Sequence, residues 1–204
     1  MQVLKATSKN VATASSIVKK GGVVVYPTDT VYGLGCDPFN IEAVKQVFRI
    51  KGERKKPLPV LSCGIADVKK IAELHERAEK IAKMFWPGPL TLVLLKKPAL
   101  PNIVTCNLKS VGVRVPKHKV ALELICSSNR FLVGTSANKT GRKPPKTAQE
   151  AIKQVGENVD VILDGGATRF GKPSTVLDLT SGKPKILREG PVRLNEIMEA
   201  VKCK

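Results

Sequence analysis

The sequence predicts an α/β fold, and three observations carry that reading. Eight short apolar runs look like strands, segments of helical period lie between them, and the two alternate along all 204 residues. No repeat, low-complexity tract or linker rich in Pro, Gly or Ser interrupts the alternation, so the chain reads as one domain. The strand-like runs fall at residues 23–26, 58–62, 91–95, 112–115, 131–135, 159–163, 175–179 and 185–187. Several are too apolar to keep one face in water, as expected for strands covered by helices.

The helices have local causes. Asn40 is placed to cap a helix with apolar residues at Ile41, Val44, Val47 and Phe48. Over residues 76–85, Ala78, Ile81, Ala82 and Phe85 share one face, and residues 194–201 follow the same period. Thr147 with Glu150 forms a capping box that opens a helix over 148–155.

One strand ends unusually. After Val23-Val24-Val25 the chain reads "YPTDTVYGLG", spending Thr28, Asp29 and Thr30 before Gly33 and Gly35. A strand that only had to turn would more often use Asn-Gly or Asp-Gly. This stretch reads as a site.

Composition bounds the ligand. Thirty-five Lys plus Arg oppose seventeen Asp plus Glu, a net charge of +18 and a pI near 9.9, which points to an anionic partner or substrate. An aromatic share of 4% argues against extensive base stacking. The start "MQVLKATSKN" has no apolar signal core and no apolar run is long enough to span a bilayer, so a soluble, cytoplasmic protein is expected. The five cysteines include no C-x-x-C pair, and they read as reduced packing residues rather than a disulfide framework or zinc site.

Gly166-Ala-Thr-Arg-Phe-Gly171-Lys172 has P-loop spacing, but Pro173 stands where a magnesium-binding hydroxyl is required, and "STVLDLT" alternates like a strand where a helix must start. His75 and His118 are the only histidines and read as surface or packing residues. What remains is a set of hydroxyls, cations and glycines at strand ends, where open α/β sheets bind ligands. Thr28-Asp29-Thr30 is the first group. Lys51, Arg54, Lys55 and Lys56 follow, then Ser110 with Arg114, then Gly134-Thr135-Ser136-Ala137-Asn138, and finally Ser174-Thr175 with Arg188. Taken singly each is an ordinary turn or solvated helix end; together they suggest a nucleotide site without a P-loop.

The segments "GGVVVYPTDTVYGLGCD", "KGERKKPLPVL", "FWPGPLTLVL", "VGVRVP", "GTSANKTG", "PSTVLDL" and "ILREG" occur in this order. In that order they resemble the YrdC-like threonylcarbamoyl-AMP synthases, from about Val11 to Pro191. The resemblance implies a single α/β domain with an open twisted mixed sheet, flanking helices and a concave basic face. It implies adenylation of a threonine carbamate made from L-threonine and bicarbonate, with ATP as donor and pyrophosphate released, as a first step of tRNA threonylcarbamoyladenosine formation. It assigns Thr30, Arg114 and Ser174 to L-threonine. Lys51, Arg54, Lys56, Ser110, Gly134, Ser136, Asn138 and Arg188 go to ATP, with Lys51 and Arg54 the catalytic cations on the triphosphate. Mg2+ is expected with ATP, without dedicated protein ligands, and tRNA or a tRNA-modifying complex is expected downstream.

Two departures stand out. Relatives often read Lys-x-Arg where this chain has Lys51-x-x-Arg54, so either Arg54 or Lys56 takes the phosphate role; Pro144 replaces a frequent serine. Longer relatives add a second domain, and a chain ending thirteen residues past Pro191 is expected to be the single-domain type. Two rivals remain: the carbamoyl-adenylating domain of hydrogenase-maturation carbamoyltransferases, and a non-catalytic module binding double-stranded RNA, favoured by the +18 charge.

Overall fold

The computed structural model describes residues 1–52, 56–181 and 183–202. In chain order its strands are β1 (Gln2–Lys5), β2 (Val24–Tyr26), β3 (Gly33–Gly35), β4 (Val60–Ser62), β5 (Leu90–Leu95) and β6 (Ser110–Arg114). They continue with β7 (Phe131–Val133), β8 (Thr135–Ser136), β9 (Val161–Asp164), β10 (Thr175–Asp178) and β11 (Lys185–Arg188). The helices are α1 (Ser8–Lys19), α2 (Ile41–Lys51), α3 (Ile65–Ile71), α4 (Glu76–Phe85), α5 (Lys119–Ser127), α6 (Ala148–Val155) and α7 (Leu194–Lys202).

The strands form two mixed ladders, β1-β9-β2-β3-β8 and β11-β10-β5-β6-β4-β7. β7 and β8 are consecutive, so the chain passes from one ladder to the other at Gly134. Backbone bonds brace that crossing: Val133 N–H donates to Cys36 O at 2.9 Å and Gly134 N–H to Pro59 O at 2.8 Å. A Cβ on Gly134 would lie 2.3 Å from Leu61 Cγ, so only glycine permits the approach.

The caps follow local chemistry. Asn40 Oδ1 accepts from Ala43 N–H at 3.0 Å and Thr147 Oγ1 from Glu150 N–H at 3.2 Å, as their sequence positions predict. The two histidines are caps as well, with Nδ1 of His75 and His118 accepting from Ala78 and Ala121 N–H at 3.3 and 3.4 Å.

β3 runs through Gly-Leu-Gly, a sequence of poor strand propensity, because pairing with β2 imposes it. Its glycines make room for Tyr26. A Cβ at Gly33 would sit 2.8 Å from Tyr26 Cζ, and one at Gly35 2.9 Å from Cε1 and 2.4 Å from Val133 O. The glycine pair of "YGLG" therefore serves packing of a buried aromatic ring.

The cysteine expectation needs correction. Cys63 and Cys126 form a disulfide, while Cys36 is a buried thiol. Sixty-three residues separate the pair, and only the packing of α5 on β4 brings their Cα atoms to 4.9 Å. Among the described residues no helix is long and apolar enough to cross a membrane.

The six-stranded ladder positions the site. Leu90, Leu92 and Leu94 of β5, Val111 and Val113 of β6, Val60 of β4 and Leu177 of β10 point into the main core. Alternation sends Thr91, Val93, Ser110, Gly112, Arg114, Leu61, Val176 and Asp178 to the opposite face, where they line a cavity. The strands expected to be covered on both faces thus cover one face with helices and turn the other to this cavity.

Candidate active site

The cavity is about 580 Å3 and is closed on one side by the end of β2 and the turn after it. Here Thr28, Asp29 and Thr30 are almost wholly buried. Arg114 organises them. Its Nη2 donates to Asp29 Oδ1 in a buried ion pair, its Nη1 donates to Thr30 Oγ1 at 3.0 Å, and its Nε donates to Gly88 O at 2.8 Å. Burial pulls the guanidinium below its usual range, and the Asp29 charge opposes that pull.

The hydroxyls form a chain. Thr28 Oγ1 donates to Val31 O at 2.6 Å and lies 3.0 Å from Thr30 Oγ1. On the next wall Ser174 Oγ is 2.8 Å from Thr91 Oγ1, and Arg188 grips Ser174 through Nε to its carbonyl at 3.0 Å and Nη2 to its hydroxyl at 3.1 Å. Gly190 lies behind, where a Cβ would meet Thr175 N at 2.1 Å, so the Arg-Glu-Gly turn sits directly on the Ser174 backbone.

Thr30, Lys56, Ser110, Arg114, Gly134, Ser136, Ser174 and Arg188 therefore meet on one cavity wall, as the sequence reading grouped them. Two members lie outside that wall. Lys51, at the last turn of α2, is buried, and its Nζ donates to Ser136 O at 2.6 Å and Asn138 O at 2.5 Å. Asn138 turns its amide inward to Lys139 O and Arg142 O at 2.9 and 2.8 Å. Together they shape the loop that presents Ser136. Arg54 lies outside the described residues.

Residues 16–190 match the model of the Sua5/YciO/YrdC family, whose description reads "Telomere recombination". The chain belongs to the Sua5/YciO/YrdC family. The threonylcarbamoyl-AMP synthase of Pyrococcus abyssi (strain GE5 / Orsay) is 40% identical over 190 residues, spanning 92% of this chain and 56% of the relative. A putative threonylcarbamoyl-AMP synthase of Mycobacterium tuberculosis (strain ATCC 25618 / H37Rv) is 36% identical over 196 residues, 95% of this chain and 90% of that protein. The crystal structure of P. abyssi Sua5 complexed with L-threonine superposes with a TM-score of 0.96 at 37% identity, over 99% of this chain and 61% of the other. The chain thus spans little more than half the length of its Pyrococcus relative.

On this Sua5/YciO/YrdC scaffold the cavity also uses residues that the sequence reading left aside. Thr91, Tyr32, Asp178, Leu108 and Leu187 line it. The alternation of β5 and β10 carried the signal for Thr91 and Asp178, since a polar residue inside an apolar strand marks the face that does not enter the core. Tyr32 Oη donates to Gly166 O at 2.8 Å and accepts from Gly165 N–H at 3.1 Å, tying the P-loop-like segment to the wall, and burial pushes its phenol up to about 12. That segment leads into β10, not a helix, which excludes a P-loop.

Proposed function

We propose that this chain is a threonylcarbamoyl-AMP synthase, forming the adenylate of threonine carbamate from L-threonine, bicarbonate and ATP with release of pyrophosphate. The observation that carries the proposal is the meeting of Thr30, Arg114, Ser174, Ser136 and Arg188 in one cavity whose volume suits a small ligand and a nucleotide. Close likeness to a fold that was crystallised with L-threonine supports it.

In this reading the threonine carboxylate docks on Arg114 beside Ser174. Its amine joins bicarbonate with loss of water, and the new carbamate oxygen attacks the α-phosphorus of ATP as pyrophosphate leaves. The step needs alignment and neutralised charge more than a nucleophilic side chain. Arg188, Lys56 and Arg54 are proposed to meet phosphates. Ser136 and the Gly134 backbone would hold the nucleotide, Ser110 would lie near the phosphates, and Lys51 with Asn138 would fix the loop from beneath.

Among the described residues no acidic, His or Cys cluster could hold a metal ion and Asp178 is the one carboxylate on the cavity wall, so Mg2+ would ride on ATP oxygens and water and neutralise phosphate charge. The expected acceptor pathway is tRNA modification in the cytoplasm, and the +18 charge suits an RNA partner for the product.

The test is pyrophosphate release from ATP with magnesium and bicarbonate. It should require L-threonine, fail with L-serine, and collapse in Thr30→Ala. Threonine-independent release, or none from folded protein alongside tight, salt-sensitive RNA binding, would overturn the proposal in favour of the RNA-binding module.

A further inference from the structure

One side chain on the cavity wall has the opposite sign to its charged neighbours. Among the described residues that line the cavity, Lys56, Arg114 and Arg188 are cations and Asp178 is the one carboxylate. Strand register separates it from the anion-binding groups. Val176 pairs with Thr91 on β5 and with Arg188 on β11, and Ser174 is bonded to both Thr91 and Arg188, so these groups form one row. Asp178 pairs with Val93, which pairs with Gly112, so a second row lies two residues, about 7 Å, further along the strands. Gly112 presents no side chain there, and the half-exposed Leu108 and Leu187 line the same cavity. This part of the wall offers apolar surface and a carboxylate.

The carboxylate has capacity to spare. Asp178 Oδ1 accepts from Thr180 N–H at 2.9 Å and Thr180 Oγ1 at 2.7 Å, which fills its two lone pairs. Oδ2 takes no hydrogen bond from the described residues, is not shut off from solvent, and keeps two lone pairs. Lys185, its register partner on β11, forms no ion pair with it among the described residues. A phosphate or a second carboxylate beside Asp178 would be repelled, so its ligand must bring protons. The nucleoside of ATP brings them in its vicinal ribose hydroxyls, two donors on adjacent carbons that match two lone pairs, as a carboxylate meets ribose in dinucleotide sites.

We infer that Asp178 is a specificity-determining residue that accepts the 2′- and 3′-hydroxyls of the ATP ribose and so selects ribonucleotides over deoxyribonucleotides. The inference rests on the proposed synthase reading and deepens it by orienting the nucleotide, with phosphates toward Arg188 and the nucleoside over Val93 and Gly112. A deoxynucleotide removes one donor and leaves a lone pair of Oδ2 unmet, a mismatch of the kind that sites built to hydrogen-bond a hydroxyl reject.

The experiment is calorimetric titration of ATP, 2′-deoxy-ATP, 3′-deoxy-ATP and inosine triphosphate, each with magnesium, into wild type, Asp178→Ala and Asp178→Asn, with L-threonine titrated separately and folding checked by circular dichroism. On wild type each deoxynucleotide should bind roughly tenfold more weakly than ATP, the equivalent of one hydrogen bond to a charged acceptor. Asp178→Ala should weaken ATP by roughly tenfold or more, bring the three sugars to within about twofold of one another, and leave L-threonine affinity unchanged. Asp178→Asn, which keeps an acceptor for Thr180, should fall between. Wild type that binds ATP and both deoxynucleotides alike overturns the inference. So does an Asp178→Ala loss shared equally by all three sugars, which would leave the carboxylate to magnesium or to the turn at Thr180. An ATP preference over inosine triphosphate that vanishes in Asp178→Ala would move the contact to the base and overturn it as well. If Asp178→Ala does not fold, Asp178→Asn decides: a preference for ATP over the deoxynucleotides equal to that of wild type overturns it. Wild type that binds no nucleotide would instead sink the synthase reading on which it stands.

Discussion

Removing the Asp29 carboxylate should cost this fold more than any surface charge. The Asp29 and Arg114 side chains are 2% and 6% exposed, so neither charge is relieved by solvent. In Asp29→Ala the guanidinium keeps Gly88 O at 2.8 Å and Thr30 Oγ1 at 3.0 Å, two neutral acceptors, and loses its counter-ion. Breaking a buried pair from one side costs about 3–5 kcal/mol, and at about 2–4 °C per kcal/mol for a chain of this size Tm should fall by roughly 6–20 °C. Asp29→Asn keeps an acceptor without the charge and should fall between wild type and Ala. The double variant Asp29→Leu/Arg114→Met replaces the pair with apolar groups and should recover stability to within about 1–2 kcal/mol of wild type, while binding no threonine. Urea denaturation by circular dichroism measures all four. An Asp29→Ala loss below about 1 kcal/mol, or a double variant no more stable than Asp29→Ala, would refute the account of Arg114 as a buried, compensated cation.

Three further outcomes are expected. Gly35→Ala would place a methyl 2.4 Å from Val133 O and 2.9 Å from the Tyr26 ring, and denaturation should show a loss of about 1–3 kcal/mol or more, since a backbone oxygen must move. Reducing the Cys63–Cys126 bridge, or Cys63→Ser/Cys126→Ser, opens a loop of 63 residues and should lower stability by up to about 4 kcal/mol on the chain-entropy account; equal unfolding midpoints with and without dithiothreitol would contradict it. Burial lowers the His118 imidazole below its usual 6.5, outweighing the opposing pull of Asp29, and protonation would remove the Nδ1 acceptor that caps α5. A base with a depressed folded value binds more protons when unfolded. Its contribution is therefore complete above about pH 6.5 and is lost as pH falls through the folded value. His118→Asn, which keeps a capping acceptor without titrating, should flatten stability over that interval, and an unchanged slope in urea titrations would count against the cap.

Much of the architecture was legible because it depends on neighbours within a turn. Asn40 and Thr147 cap where their sequence positions require, helices over 76–85 and 148–155 match their apolar period, and every predicted strand lies on an observed one. Elements without a local signal were missed. α1 is rich in Ser, Thr and Ala, β1 and β3 are short, α3 spans only Ile65–Ile71, and α5 is capped by a histidine, outside the usual capping set.

For the site, residue type and strand-end position selected most of the cavity wall, because hydroxyls, glycines and cations have few other reasons to gather there. Which groups face one another was decided by tertiary structure alone. Asp29 meets Arg114 across 85 residues, Tyr26 Oη reaches Val133 O across 107, and Lys51 turns from solvent to two carbonyls of a loop more than 80 residues away. The sequence by itself determined the period, the caps and the chemical vocabulary of the site, all set by covalent geometry and nearest neighbours. The direction of each hydrogen bond, the partner of each buried charge and the pairing of Cys63 with Cys126 waited for the fold, because burial removes water as an alternative partner only once distant strands have closed around them.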